Sequence, residues 1–227
     1  ASTPTLTPAT REVARTRRLA VLQLWLLNIA FGVFLGVRYL HYVPDGEEIG
    51  PWVFALPALL SSVFTLTLLP GLLFTLWAPF ARSERRLAWM QATAWAFFHV
   101  WLYVDTRIYT VFKYHFNGQV VNLIFAKGAE DALYLGWSVY LSVAMGLAGT
   151  AIVEAWLFRR LASWNRRAEH LIGMAALARP TLACFAVLVP AVVLEKSIYA
   201  SAYLDGDAGR SITTLSRLFP LYPRVPL

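Results

Sequence analysis

The run "LAVLQLWLLNIAFGVFLGVRYLHY", Leu19 to Tyr42, decides the fold. As a helix rising 1.5 Å per residue it is long enough to cross the roughly 30 Å hydrocarbon core of a bilayer. Four further runs of similar character follow, at Trp52–Phe80, Leu87–Val104, Ala132–Phe158 and Thr181–Tyr203. The sequence therefore predicts an all-α membrane protein, a bundle of five transmembrane helices. Pro57 and the pair Pro70–Gly71 predict a kink or break in the second span, because proline removes a backbone donor and crowds the preceding turn. Gly32 and Gly36 in the first span have the spacing that lets two helices approach closely. Packing inside the bundle is the expected use, rather than dimerisation.

Composition agrees with a lipid solvent. The chain is 58% hydrophobic and 15% charged, whereas a soluble domain carries about a quarter charged residues. Charge is expensive in hydrocarbon, and the deficit follows from that. Nine tryptophans and ten tyrosines suit the aromatic belts at headgroup level. The single cysteine, Cys184, lies in an apolar run and offers no disulfide framework.

The net charge of +7 would suggest nucleic acid in a soluble protein. Its distribution favours another reading, with no nucleic-acid partner. Arg11, Arg15, Arg17 and Arg18 precede the first span, and Arg82, Arg85 and Arg86 separate the second from the third. Arg159, Arg160, Arg166, Arg167 and Arg179 separate the fourth from the fifth, so twelve of the twenty basic residues fall on one side. The opposite first loop, "VPDGEEIG", is acidic. The positive-inside rule then predicts a cytoplasmic N-terminus and a C-terminus outside. Residues 1–18 read as a cytoplasmic basic leader whose start, "ASTPTLTPAT", is a polar stretch expected to be disordered rather than a signal peptide. Residues 19–204 read as the membrane domain, and 205–227 as a linker on the outer side. With no initiator methionine and no terminal element, the chain reads as one part of a longer protein.

The stretch "VDTRIYTVFKYHFNGQVVNLIF", Val104 to Phe125, carries acid, base, imidazole and aromatics together. Ile108, Val111, Phe112, His115 or Phe116, Gln119 or Val120, Leu123 and Ile124 recur at helical spacing. An amphipathic helix over about 105–126, beside a span, can lie in the interface plane on the outer side. It either caps the bundle only, or brings Arg107, Lys113 and His115 to lipid phosphates, which basic side chains suit.

Catalytic signals are absent from the sequence. His41, His99, His115 and His170 fall at different depths on this topology and cannot share one ion. No nucleophile elbow, CxxC pair, HExxH helix or phosphate-cradling glycine loop occurs, so neither enzyme nor cofactor is expected of this chain. Ionisable groups at membrane depth remain candidates. Arg38 near the end of the first span and Asp105 at the end of the third are expected to pair. Glu154 is expected to pair with Arg159 and Arg160, and Glu195 with Lys196. Only His99 and Asn28 approach mid-bilayer, where a transporter would need such groups.

Asp105, Tyr109, Phe112, His115 and Asn117 resemble the pattern after the third span in the inner-membrane sulfatase-like family of Gram-negative bacteria, of the lipopolysaccharide-regulator type. "RSITTLSRLFPLYP", Arg210 to Pro223, is similar to that family's linker after its fifth span. The resemblance covers nearly the whole chain. It implies a lipid sensor with a periplasmic sulfatase-like domain beyond the linker and a membrane-anchored protease adaptor as partner. It also implies that Thr213, Thr214, Ser216 and Arg217, with Arg210 nearby, contact lipid A of lipopolysaccharide. The competing reading is an anchor for a lipid-modifying enzyme of the same superfamily, such as a phosphoethanolamine transferase or a lipoteichoic acid synthase. A Thr or Ser nucleophile among metal-binding Asp and His residues beyond Leu227 would mark the anchor; a degraded set would mark the sensor.

Overall fold

A computed structural model describes residues 8–43, 50–116, 136–204 and 210–220. Among them every regular element is helical. Helix α1 is Pro8–Leu40, α2 is Gly50–Trp77, and a 3-10 turn follows at Ala78–Phe80. Helix α3 is Glu84–Phe112, α4 is Trp137–Ile172, α5 is Met174–Leu204 and α6 is the short Arg210–Ser216. The later part of the expected interfacial helix, residues 117–126, lies outside the described residues, as do the acidic loop at 44–49 and residues 221–227.

Four helices are long and apolar enough to cross a membrane, over Arg11–Leu40, Pro51–Phe80, Trp137–Ile172 and Met174–Ala202. Helix α3, which contains the remaining expected span, has 29 residues, about 44 Å of helix. Gln91, His99 and three tryptophans interrupt its apolar run. These polar groups are hidden by position. Gln91, Trp95, His99, Leu102, Asp105 and Tyr109 recur on one buried stripe, and α3 packs on both α1 and α4.

Several sequence expectations change in detail. The basic leader is helical from Pro8, so its arginines ride on the first turns of α1, and proline is well placed at the start of a helix. The basic stretch 159–179 is no loop. Helix α4 continues through it to Ile172, and Gly173, at φ 76, turns the chain directly into α5. Helix α2 runs through Pro57 and Pro70 without ending. Helix α3 passes through Val104 to Phe112 and stops where Lys113 adopts the left-handed conformation, its N–H bonding the Tyr109 carbonyl. Residues 105–112 are therefore the last two turns of α3 rather than the start of a separate interfacial helix.

The glycine spacing in α1 is used within the bundle. A Cβ on Gly36 would sit 2.6 Å from Leu59, and one on Gly32 would sit 2.7 Å from Val63, so both glycines let α2 press close. Gly71 does the reverse: a Cβ there would lie 2.2 Å from the ring of Trp25. The indole lies flat on the α2 backbone, its Nε1–H donating to Thr67 Oγ1 at 3.1 Å, and Phe64 and Phe185 close over it.

The arginine-rich segments meet at one end. Arg17 donates to the carbonyls of Ala78 and Ala81, capping the exit of α2, a favourable place for a cation. Arg166 of α4 bonds Glu84 of α3 at 2.8 Å, and His170 faces Glu12 at 3.5 Å. The leader, the α2–α3 turn and the end of α4 thus form one basic end.

Candidate functional site at the opposite end of the bundle

Asp105 is fully buried at the far end of α3. A lone carboxylate there would be costly, and the fold satisfies it with three donors. The Tyr39 hydroxyl from α1 donates to Oδ2. His115 Nδ1 approaches the same oxygen at 2.8 Å, and the Phe116 N–H donates to Oδ1. The left-handed turn at Lys113 makes this possible, because it swings 115 and 116 back over the end of their own helix.

His115 uses its second nitrogen as well. Nε2 lies 3.1 Å from the carbonyl oxygen of Arg217. A carbonyl only accepts, and so does a carboxylate, so a ring carrying protons on both nitrogens satisfies both. Tyr109 stacks on the imidazole with centroids 4.7 Å apart, and Tyr39 meets it edge-on. The segment after α6 is locked down by this ring and by two further contacts. Ser62 of α2 donates to the Pro220 carbonyl. Phe219 is 1% exposed and packs edge-on against Tyr39, with Leu215 and Leu218 also buried.

The structure corrects three expectations here. Arg38 does not pair with Asp105. Its neighbour Tyr39 faces inward instead, and the Arg38 guanidinium sits 5.4 Å from the Tyr103 ring. His115 is committed to Asp105 and Arg217 O and has no nitrogen left for a lipid phosphate. Ser216 is buried at 2% exposure and so does not face lipid. The side chains of Arg210 and Thr213 lie outside the described residues.

The other expected contacts are exposed. Arg107 is held by the Tyr103 hydroxyl at 3.0 Å, and its guanidinium shares that ring with Arg38. Lys113 Nζ stands 3.6 Å over the Tyr42 ring. Thr214 and Arg217 point outward from the locked segment. Among the described residues this end therefore presents Arg38, Arg107, Lys113 and Arg217 to the surface, while its acids, Asp105 and Glu195, are buried. Glu195 is matched by Lys196 at 3.3 Å, as the sequence suggested. Tyr39, Ser62 and Phe219 escaped the sequence reading.

A second polar joint lies deeper. Glu154 does not turn toward Arg159 and Arg160. It faces inward from α4, where its Oε2 accepts from Asn28 Nδ2 at 3.1 Å and Oε1 lies 3.9 Å from His99 Nδ1. No group of three or more metal-ligating side chains occurs among the described residues.

No curated protein matches the chain. Both polar joints fall within the matched stretch: over residues 10–225 the chain belongs to the family described as a domain of unknown function, DUF3413.

Proposed function

We propose that this domain binds an anionic lipid headgroup, that of lipid A in lipopolysaccharide or of an acidic phospholipid, and that the locked segment reports occupancy. The observation that carries the reading is the split in segment 214–220: its backbone is clamped to the bundle while Thr214 and Arg217 remain exposed. The surrounding surface offers cations without an exposed acid among the described residues. A phosphate would meet guanidinium and ammonium donors at the level of Tyr42 and Tyr103, aromatic side chains of the kind found at membrane interfaces. Charge-assisted hydrogen bonds contribute about 1.5–3 kcal/mol each, or roughly ten- to hundredfold in affinity.

In this reading the domain lies in the inner membrane of a Gram-negative bacterium and crosses it five times, α3 included. The basic end, with the N-terminus, is cytoplasmic, and the locked segment faces the periplasm. A sulfatase-like periplasmic domain follows, a membrane-anchored protease adaptor reads the bundle, and the output is control of lipopolysaccharide synthesis and so of outer-membrane homeostasis. The support is the basic end shared by Arg17, Arg86 and Arg166, together with the motif resemblance around Asp105 and Arg210–Pro223. An anchor for an alkaline-phosphatase-superfamily enzyme, a sulfatase or a phosphoethanolamine or phosphoglycerol transferase, is the second reading. It is favoured by the same clamp, which would hold a following domain at a set height.

Native mass spectrometry of lipids retained by the purified domain tests the proposal, beside an Arg210→Ala/Arg217→Ala variant. Stoichiometric lipid A or acidic phospholipid, lost in the variant, is expected. Phosphatidylethanolamine dominating both samples would overturn the sensor and leave the anchor.

A further inference from the structure

Asn28, His99 and Glu154 meet at the junction of α1, α3 and α4, far from both ends. Asn28 is twelve residues from the end of α1, about 18 Å of helix, and nine residues, about 13 Å, from Leu19. The three side chains are 1%, 2% and 6% exposed. Phe31 and Phe98 pack against the imidazole at 4.6 and 5.1 Å between centroids.

The hydrogen bonds fix where protons sit. Asn28 Nδ2 donates to the Leu24 carbonyl at 2.8 Å and to Glu154 Oε2 at 3.1 Å, so both amide hydrogens are used. His99 Nε2 lies 3.4 Å from the backbone carbonyl of Asn28. That oxygen only accepts, so Nε2 carries a hydrogen. Nδ1 is then left facing Glu154 Oε1 at 3.9 Å, with no other partner. A bare imidazole nitrogen opposite a bare carboxylate would set lone pair against lone pair around an uncompensated buried anion.

We propose that His99 and Glu154 together hold one exchangeable proton at mid-bilayer, with Asn28 orienting the carboxylate. The proton resides either on Nδ1, giving an imidazolium–carboxylate pair, or on Oε1, giving a neutral acid facing a neutral ring. Both states keep the pair at zero net charge. A second proton would leave a cation in the apolar interior, and loss of the first would leave an anion.

Among the described residues, no other charge compensates the site from the surrounding elements. Helix α2 has no ionisable residue between Gly50 and Trp77. On α1 the nearest cations, Arg18 and Arg38, are ten residues away in each direction. On α3, Tyr103 is exposed and Asp105 belongs to the Tyr39–His115 cluster. On α4, Arg159 is exposed and Arg160 lies over Trp156. On α5, Glu195 forms an ion pair with Lys196 at 3.3 Å.

The test is nitrogen NMR of the whole chain in lipid nanodiscs with labelled imidazoles, read beside infrared detection of protonated carboxyl groups. Measurement runs from about pH 5 to about pH 8, the interval where free histidine titrates. His99→Gln assigns the ring signal. The expected result is a protonated Nδ1 or a protonated carboxyl, one but not both, persisting across the range. In Glu154→Gln the first signature should revert to a bare Nδ1, and the second should vanish. A bare Nδ1 with no protonated carboxyl in the wild type would overturn the proposal. So would a His99 signal that titrates within this range. The wild-type spectra decide between these even if the Glu154 variant fails to fold.

Discussion

Replacing Asp105 by Asn should release the segment after α6 although Asp105 does not touch it. The connection runs through His115, whose Nδ1 faces Asp105 and whose Nε2 faces Arg217 O. An amide has one acceptor oxygen where the carboxylate has two, so it cannot accept from all three donors that now converge there. A hydrogen bond to a charged group is worth about 1.5–3 kcal/mol and one between neutral groups about 0.5–1.5. Loss of ring orientation adds to the difference, so docking of 217–220 should weaken by about 1–3 kcal/mol. Phe219 and the Ser62–Pro220 bond remain, so the segment should open transiently rather than detach. Amide hydrogen exchange reports such opening. The Leu218 and Phe219 amides, which bond Leu215 O and Ser216 O, should exchange roughly ten- to hundredfold faster. Amides in the middle of α1 should be unchanged. Exchange at Leu218 and Phe219 within about twofold of wild type would show that His115 does not transmit the state of Asp105, and the relay would be wrong.

Two further substitutions test the bundle. Gly71→Ala drives a methyl into the Trp25 ring and should cost about 1–3 kcal/mol, whereas Gly149→Ala, with open space around it, should be neutral or gain up to about 1 kcal/mol; thermal unfolding in detergent compares them, and equal midpoints would refute the packing. Arg17→Ala strips a charged donor from the Ala78 and Ala81 carbonyls and should cost about 1–3 kcal/mol, read by the same assay, with amide exchange rising at the end of α2; an unchanged α2 would show that the cap is ornamental.

Much of this architecture is legible in the sequence because lipid leaves few choices. Length and apolarity mark the helices, and Gly32 and Gly36 mark the close approach of α1 to α2. The missed features are questions of rotation about a helix axis. Arg38 and Tyr39 are adjacent, and a turn of about 100° decides which faces Asp105. Nothing local to α1 reveals it. Glu154 was recoverable. It shares a stripe with Phe158, Ala162 and Asn165, all buried, whereas Arg159 and Arg160 fall on other faces of the helix. Nearness along the chain suggested the wrong partners where helical periodicity points to the core. The basic stretch 159–172 reads as a loop only if charge is equated with irregular backbone; its Arg, Ala, Leu and Glu residues are good helix formers.

The clamp at the Asp105 end of the bundle also has a schedule. A chain emerges from the ribosome at about 5–20 residues per second. His115 follows Asp105 by ten residues, so the buried acid can meet its imidazole partner roughly 0.5–2 s after it is made. Ser62 must wait for Pro220, 158 residues later, roughly 8–30 s at the same pace. Asp105 is thus partnered early while the end of the bundle stays unsealed until α6 is made, and for those seconds the ring of His115 stands over a vacant seat that residues 217–220 of the same chain complete.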